Sequence, residues 1–264
     1  MTNYIVLYWW YLISSYSIYN LEKLYNIKNI ITDTNSLHIY QASCLFIFAC
    51  MIRSIFPRKD GQRICLFDTW LSYPLTGRIL ATIGEISFGY QLTLITKLFA
   101  KKLNCYKICY LMNYIMFLIF IAQIFCWYGV LFQNNLMHVI EESIWMISMV
   151  CIGFSYLYFN IFIKNIQTKQ YFYIAFIISY IYMIFMILID IPMYYNRYLE
   201  SNVIINRTLY DSIKDMALCY ISSDTLDIWE YNIWADEIPW MTGYFIGATY
   251  LSINLNHFKN LLIN

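Results

Sequence analysis

Three carboxylates stand where hydrocarbon is expected: Glu85 within the apolar run from Ile79 to Phe99, and the adjacent pair Glu141 and Glu142 within Val139 to Ile163. A charge at bilayer depth costs roughly 2.5–3.5 kcal/mol on insertion scales, so such residues face a partner, a cavity or a task. In a helix beginning near Leu75, Arg78, Thr82 and Glu85 share one face and form a polar stripe two turns long. Gly77, Ala81 and Gly84 lie beside it and would let a neighbouring helix come close. A deep carboxyl on such a stripe suits proton exchange or cation binding in a path for a small solute. It equally suits cementing two helices, with Arg78 snorkelling toward the membrane edge or holding Asp68.

A second constellation is His138, Glu141, Glu142 and Trp145, read as H-x-x-E-E-x-x-W. His138 and Glu142 at i,i+4 can share a metal ion, because inward-facing Glu and His are how helical bundles build metal sites. One helix supplies half a coordination shell at most, and Glu85 and Asp190 are the candidates for the remainder. No further histidine falls in the interior of a span, His38 and His257 lying at span ends, which counts against a di-iron or zinc hydrolase centre. The other reading places Glu141 and Glu142 in the first turn of a helix that follows the turn Gln133 to Met137. There, unsatisfied N–H groups and the helix dipole stabilise negative charge.

Asp190-Ile191-Pro192 closes one apolar run and Asp236-Glu237-Ile238-Pro239 opens another, so Pro192 suits a helix stop and Pro239 a helix start. These acids, together with Glu141 and Glu142, are predicted at one membrane face, with Arg53, Arg58, Arg63 and Arg197 to answer them. The composite expectation is a mouth of mixed charge leading down to Glu85.

The elements that must position these residues are apolar helices. Of 264 residues 61% are apolar and 12% charged, about half the charge of a soluble domain, and the apolar residues come in blocks of spanning length. Spans are predicted at about 38–56, 75–99, 106–132, 138–163, 171–190 and 238–255, with a shorter, Tyr-, Trp- and Ser-rich candidate at about 4–19. The fold class is therefore all-α: a polytopic integral membrane bundle of six to seven transmembrane helices in a single domain, 1–264. A long loop, 192–236, exceeds a plain connector. It carries a short amphipathic helix in which Leu209, Ile213, Met216, Ala217 and Tyr220 recur at helical spacing. This helix suits either the membrane surface or a seat against other loops. Trp229, Trp234 and Trp240 suit the interface beside the last span. No internal repeat supports an inverted-repeat transporter.

Lys-rich loops (Lys97, Lys101, Lys102, Lys107, Lys164, Lys169) favour one side as cytoplasmic and put the acidic 192–236 loop outside. Asn206-Arg207-Thr208 is an N-glycosylation pattern that fits that side. Cys44, Cys50, Cys126 and Cys151 lie in apolar runs as small hydrophobes, whereas Cys65 and Cys219 fall in exoplasmic loops and can pair in an oxidising lumen. A net charge of +1 without a basic stripe excludes a nucleic-acid partner. The lipid bilayer and other membrane subunits are the partners expected, and no cofactor is implied. An integral membrane location in an endomembrane or the plasma membrane is expected, a location that the common glycosylation tripeptide only corroborates, with the mitochondrial inner membrane as the alternative. The deep acids favour a transporter or channel for a small solute, proton or cation. An accessory subunit and an enzyme acting on a lipid-like substrate are the other two classes, since no P-loop, G-x-S-x-G or H-E-x-x-H motif is present.

Overall fold

The computed structural model describes residues 4–28, 31, 33–200, 207–223 and 228–257. The chain is built of helices α1 (Tyr4–Ile27), α2 (Thr34–Ile55), α3 (Pro74–Lys102), α4 (Tyr106–Phe132), α5 (Asn135–Phe159), α6 (Ile166–Phe185), α7 (Ile191–Glu200), α8 (Leu209–Asp215), α9 (Tyr231–Trp234), α10 (Ile238–Thr242) and α11 (Thr249–Leu255). A small antiparallel hairpin interrupts the helices after α2, pairing β1 (Arg58–Lys59) with β2 (Ile64–Cys65) in the register Arg58 to Cys65 and Lys59 to Ile64. Ile64 also bridges to Ile221.

Local chemistry sets the helix ends. Asp33 caps α2 by accepting from the amides of Asn35 and Ser36 at 2.9 and 3.2 Å. Asn165 does the same for α6 through Gln167 and Thr168, and Pro74 opens α3, where its missing N–H is no loss. Between α4 and α5 the chain reverses in two residues. Gln133 takes a left-handed conformation (φ 52°), and Asn134 accepts from the Leu136 amide at 3.0 Å.

Five stretches among the described residues are long and apolar enough to cross a membrane: Thr34–Ile55, Pro74–Lys102, Tyr106–Phe132, Asn135–Phe159 and Ile166–Glu200. Their apolar side chains point outward as well as inward. Tyr114, Phe117 and Ile124 on α4, and Ile174, Ile177 and Ile181 on α6, are about half exposed or more. Helices apolar on all sides fit a hydrocarbon surround, which needs no polar outer face.

The expected count of six to seven spans is not confirmed: the two further stretches do not meet that length and apolarity among the described residues. The stretch 4–19 lies in α1, which is long but carries Ser14, Ser15, Ser17, Asn20, Glu22 and Lys23. The stretch 238–255 is α10 and α11 joined by a π turn at Gly243–Ala248. Both are tied into their surroundings by polar contacts. Trp9 donates to Thr242 Oγ1 at 3.0 Å, Asn20 donates to Thr249 Oγ1 at 2.9 Å, and the hydroxyls of Ser43 and Ser252 lie 2.9 Å apart.

Pro192 does not stop its helix. The chain runs helically from Ile166 to Glu200, with a π turn at Met186–Asp190 just before the proline. Proline removes one N–H and crowds the carbonyl four residues back; a widened turn relieves that crowding, so the helix continues to Glu200, into the stretch expected as the 192–236 loop. Trp234, expected at the interface, is fully buried, packs against Trp9 at 6.0 Å and donates to the Ile228 carbonyl at 2.8 Å. The amphipathic helix is shorter than the pattern suggests. α8 ends at Asp215, and the chain beyond it docks on the hairpin through Tyr220 N–H to Arg63 O at 2.8 Å and on the start of α3 through Leu75 N–H to Met216 O at 3.0 Å.

The chain gathers into two compact units: Met1–Phe88 with Val130–Phe132 and Asn206–Asn256, and Gly89–Gly129 with Gln133–Ile205 and His257–Asn264. The first has a core around Trp9, Ile13, Phe46, Phe88 and Phe245, with Phe46 stacked on Phe88 at 4.6 Å. The second packs Phe99, Tyr156, Phe159 and Phe172 together, and Thr96 donates to the Tyr156 hydroxyl at 3.1 Å.

Candidate functional site

The first unit concentrates its charge where α2 ends. Arg53 closes α2, Arg58, Lys59 and Asp60 follow in the hairpin, and the start of α3 supplies Arg78 and Glu85. Arg78 donates to Glu85 at 2.9 Å and Arg53 lies 3.8 Å from the other Glu85 oxygen. Glu85 is thus the counter-ion of two guanidiniums, seven residues from one of them on the same helix face. Thr82, between them, is partly buried. Arg58 donates to Asp60 at 2.8 Å through Nε. Its Nη1 and Nη2 are buried and make no hydrogen bond among the described residues, nor does Nη1 of Arg53. The Arg53 guanidinium also lies over the rings of Tyr244 (5.2 Å) and Phe245 (5.8 Å).

Among the described residues, Arg58, Arg53 and Arg78 therefore share the carboxylates of Asp60 and Glu85, three cations for two anions. Burial lowers the Arg58 guanidinium to about 10, with Asp60 opposing that loss and Arg53 adding to it. Burial also pushes the Asp60 carboxyl up, but Arg58, Arg53, Arg78 and Arg63 outweigh it and hold the group below its ordinary range.

Two further ion groups finish this polar end. Arg63, fully buried, binds Asp215 at 2.9 Å through Nε and the Val130 carbonyl at 2.9 Å through Nη2, and its Nη1 bonds the Asp60 carbonyl. Arg207 reaches Asp215 at 2.9 Å, and the Tyr220 hydroxyl donates to the same carboxylate. Lys59 holds Asp236 at 2.9 Å and Glu237 at 3.9 Å and donates to the Ile233 carbonyl. Cys65 and Cys219 form a disulfide with Cα atoms 5.8 Å apart, fastening β2 to the segment after α8. Asn206 lies outside the described residues.

The second unit holds the other group of candidate residues. His138 Nδ1 lies 2.9 Å from Glu141 Oε2, so the partner on its own helix is at i,i+3 rather than the Glu142 at i,i+4 that the spacing suggests. Both are buried, and Glu142 is partly exposed. The third member is Cys126 on α4, whose sulfur lies with a His138 nitrogen and a Glu141 oxygen inside a group spanning no more than 4.8 Å. Tyr194 of α7 stacks on the imidazole at 4.8 Å, and Arg197 lies over the Tyr194 ring at 5.5 Å. Asp190 is buried at the end of the π turn. Of the expected composite mouth, Glu85, Asp236 and Glu237 fall in the first unit with Arg53, Arg58 and Arg63, and Glu141, Glu142 and Asp190 fall in the second with Arg197.

Comparison of this chain with protein families, with curated proteins and with solved structures gives no match. Its class rests on its own features: a helical protein with five helices long and apolar enough to cross a membrane. It carries a guanidinium-rich polar end and, separately, a buried thiol–imidazole–carboxylate group.

Proposed function

We propose that this chain is an integral membrane protein that binds and passes a small anionic solute, a phosphate or a carboxylate, at the guanidinium cluster of Arg53, Arg58 and Arg78. The observation that carries this reading is the pair of buried Arg58 Nη atoms without hydrogen-bond partners among the described residues, beside a local surplus of positive charge among those same residues. Buried donors cost free energy when left unpaired, and a guanidinium edge is shaped for two oxygens of a carboxylate or phosphate. Transport of a cation or proton by Glu85 is the less supported version, because its carboxylate is already engaged by Arg78 and Arg53. The disulfide at the same polar end supports an exoplasmic orientation for it, since such bonds persist in oxidising compartments.

The test uses the full chain in liposomes of zwitterionic lipid, with labelled inorganic phosphate and acetate as probes and a sodium ion as the cation control. Anion uptake that is abolished in a folded Arg58→Gln variant is expected. Sodium uptake without anion uptake would overturn the reading. Absence of any flux, with Arg58→Gln merely less stable, would favour an assembly subunit whose arginines only hold helices together.

A further inference from the structure

We propose that Cys126, His138 and Glu141 form a binding site for one zinc-type divalent transition-metal ion inside the second unit. The three donors come from two helices whose connection fixes their register. The two-residue reversal at Gln133 and Asn134 lays α4 and α5 side by side, with Cys126 and Glu141 equally far from the turn on either side of it. One donor atom from each residue falls within 4.8 Å of the others, and all three side chains are buried. Tetrahedral zinc bonds of about 2.0–2.3 Å set neighbouring donors about 3.3–3.8 Å apart, so small shifts that open the 2.9 Å His138–Glu141 contact and close any wider spacing complete the geometry.

The imidazole is held ready for this role. A Cβ on Gly129 would stand 2.8 Å from His138 Nε2, so the absence of a side chain there is what lets the ring lie against α4. On α4, Gly129 is three residues from Cys126 and so on nearly the same face. Tyr194 stacks against the ring. A ring positioned in this way loses little freedom on binding a metal. The donor set is mixed in character, with a soft sulfur, a borderline nitrogen and a hard oxygen, which suits zinc better than calcium or magnesium. Charge balance argues the same way. A thiolate and a carboxylate each bear one negative charge, so a dication leaves the buried group neutral. Three protein donors leave a fourth coordination position for water or a ligand, the pattern of a reactive rather than a closed structural ion.

The experiment is titration of the purified, detergent-solubilised full chain with Zn²⁺ alone against a competing chelator, and with Co²⁺ followed by absorbance. One equivalent should bind, and Co²⁺ should give a thiolate charge-transfer band. Cys126→Ser, which keeps the shape of the side chain, should remove that band and lower affinity about tenfold or more. Gly129→Ala keeps all three donors but displaces His138, and should weaken binding in a protein that retains its helix content. The remaining free cysteines (Cys44, Cys50, Cys105, Cys109 and Cys151) serve as internal controls. No binding by the wild-type chain, or a thiolate band that survives Cys126→Ser, would overturn the proposal.

Discussion

The guanidinium of Arg58 lies against the backbone of Gly77, in the space that a Cβ at that position would fill. The hairpin after α2 and the first turn of α3 thereby interlock: a long charged side chain occupies a notch that only glycine provides. The position is therefore a direct handle on the guanidinium cluster. Gly77→Ala should push Arg58 away from Asp60 and weaken phosphate binding about tenfold or more, an effect to be read by isothermal titration of the detergent-solubilised protein. Unchanged affinity in the folded variant would separate Arg58 from ligand binding.

Glu85 distinguishes charge from shape. Glu85→Gln retains a hydrogen-bond acceptor for Arg78 and removes one negative charge from the cluster, so anion affinity should rise and thermal stability should fall less than in Glu85→Leu. Glu85→Leu removes the partner of two buried guanidiniums and should destabilise the protein by about 3–5 kcal/mol. Parallel denaturation curves and anion titrations of both variants decide this. Complete loss of transport in a stable Glu85→Gln protein would instead mark Glu85 as a titrating acid.

Acid should loosen the polar end. The Asp60 and Asp215 carboxyls both lie below their ordinary value of 3.8. In each case burial works upward and is outweighed, for Asp60 by the surrounding guanidiniums and for Asp215 by the Tyr220 hydrogen bond together with Arg63 and Arg207. A depressed folded-state value means that the stabilisation is complete above the unfolded value and is lost as pH falls through the folded one. Melting temperature, followed by tryptophan fluorescence, should hold steady from about pH 7 to 5 and drop below about pH 4. The drop should be shallower in Asp60→Asn.

Reduction of Cys65–Cys219 should lower stability by about 2–5 kcal/mol, because the bond spans a sequence separation of 154 residues. Cys65→Ser with Cys219→Ser should melt where the reduced wild-type chain does. Coincident melting of oxidised and reduced protein would show that ion pairs alone hold the hairpin to the segment after α8.

The long apolar helices were legible because hydrocarbon demands runs of apolar residues, and the Arg78–Glu85 pairing face because a seven-residue spacing nearly closes two helical turns. The Cys65–Cys219 pair could be read from sidedness alone. Other features required through-space information. Cys126 resembles any small hydrophobe in an apolar run, and its role emerges only once a two-residue turn places it level with Glu141; that equal spacing was the signal available in the sequence. Pro192 misleads because a local rule for helix ends takes no account of a widened turn just before it. Trp234 misleads because a tryptophan near an apolar run resembles an interfacial anchor, whereas here it fills the core beside Trp9. Arg58 was legible only as one of four arginines expected to answer the acids, since no one-dimensional pattern relates it to Gly77.

The Cys65–Cys219 bond has a bearing on how the chain withstands damage. Nearly all of the second unit is threaded between those two cysteines, so a single proteolytic nick anywhere from residue 66 to 218 leaves two fragments still joined covalently. On a non-reducing gel the nicked molecule would run as one species, and reductant would release two. A cut chain could thus keep its hairpin clasped to the segment after α8, so that breakage in the connections between α3 and α7 need not be the end of the molecule.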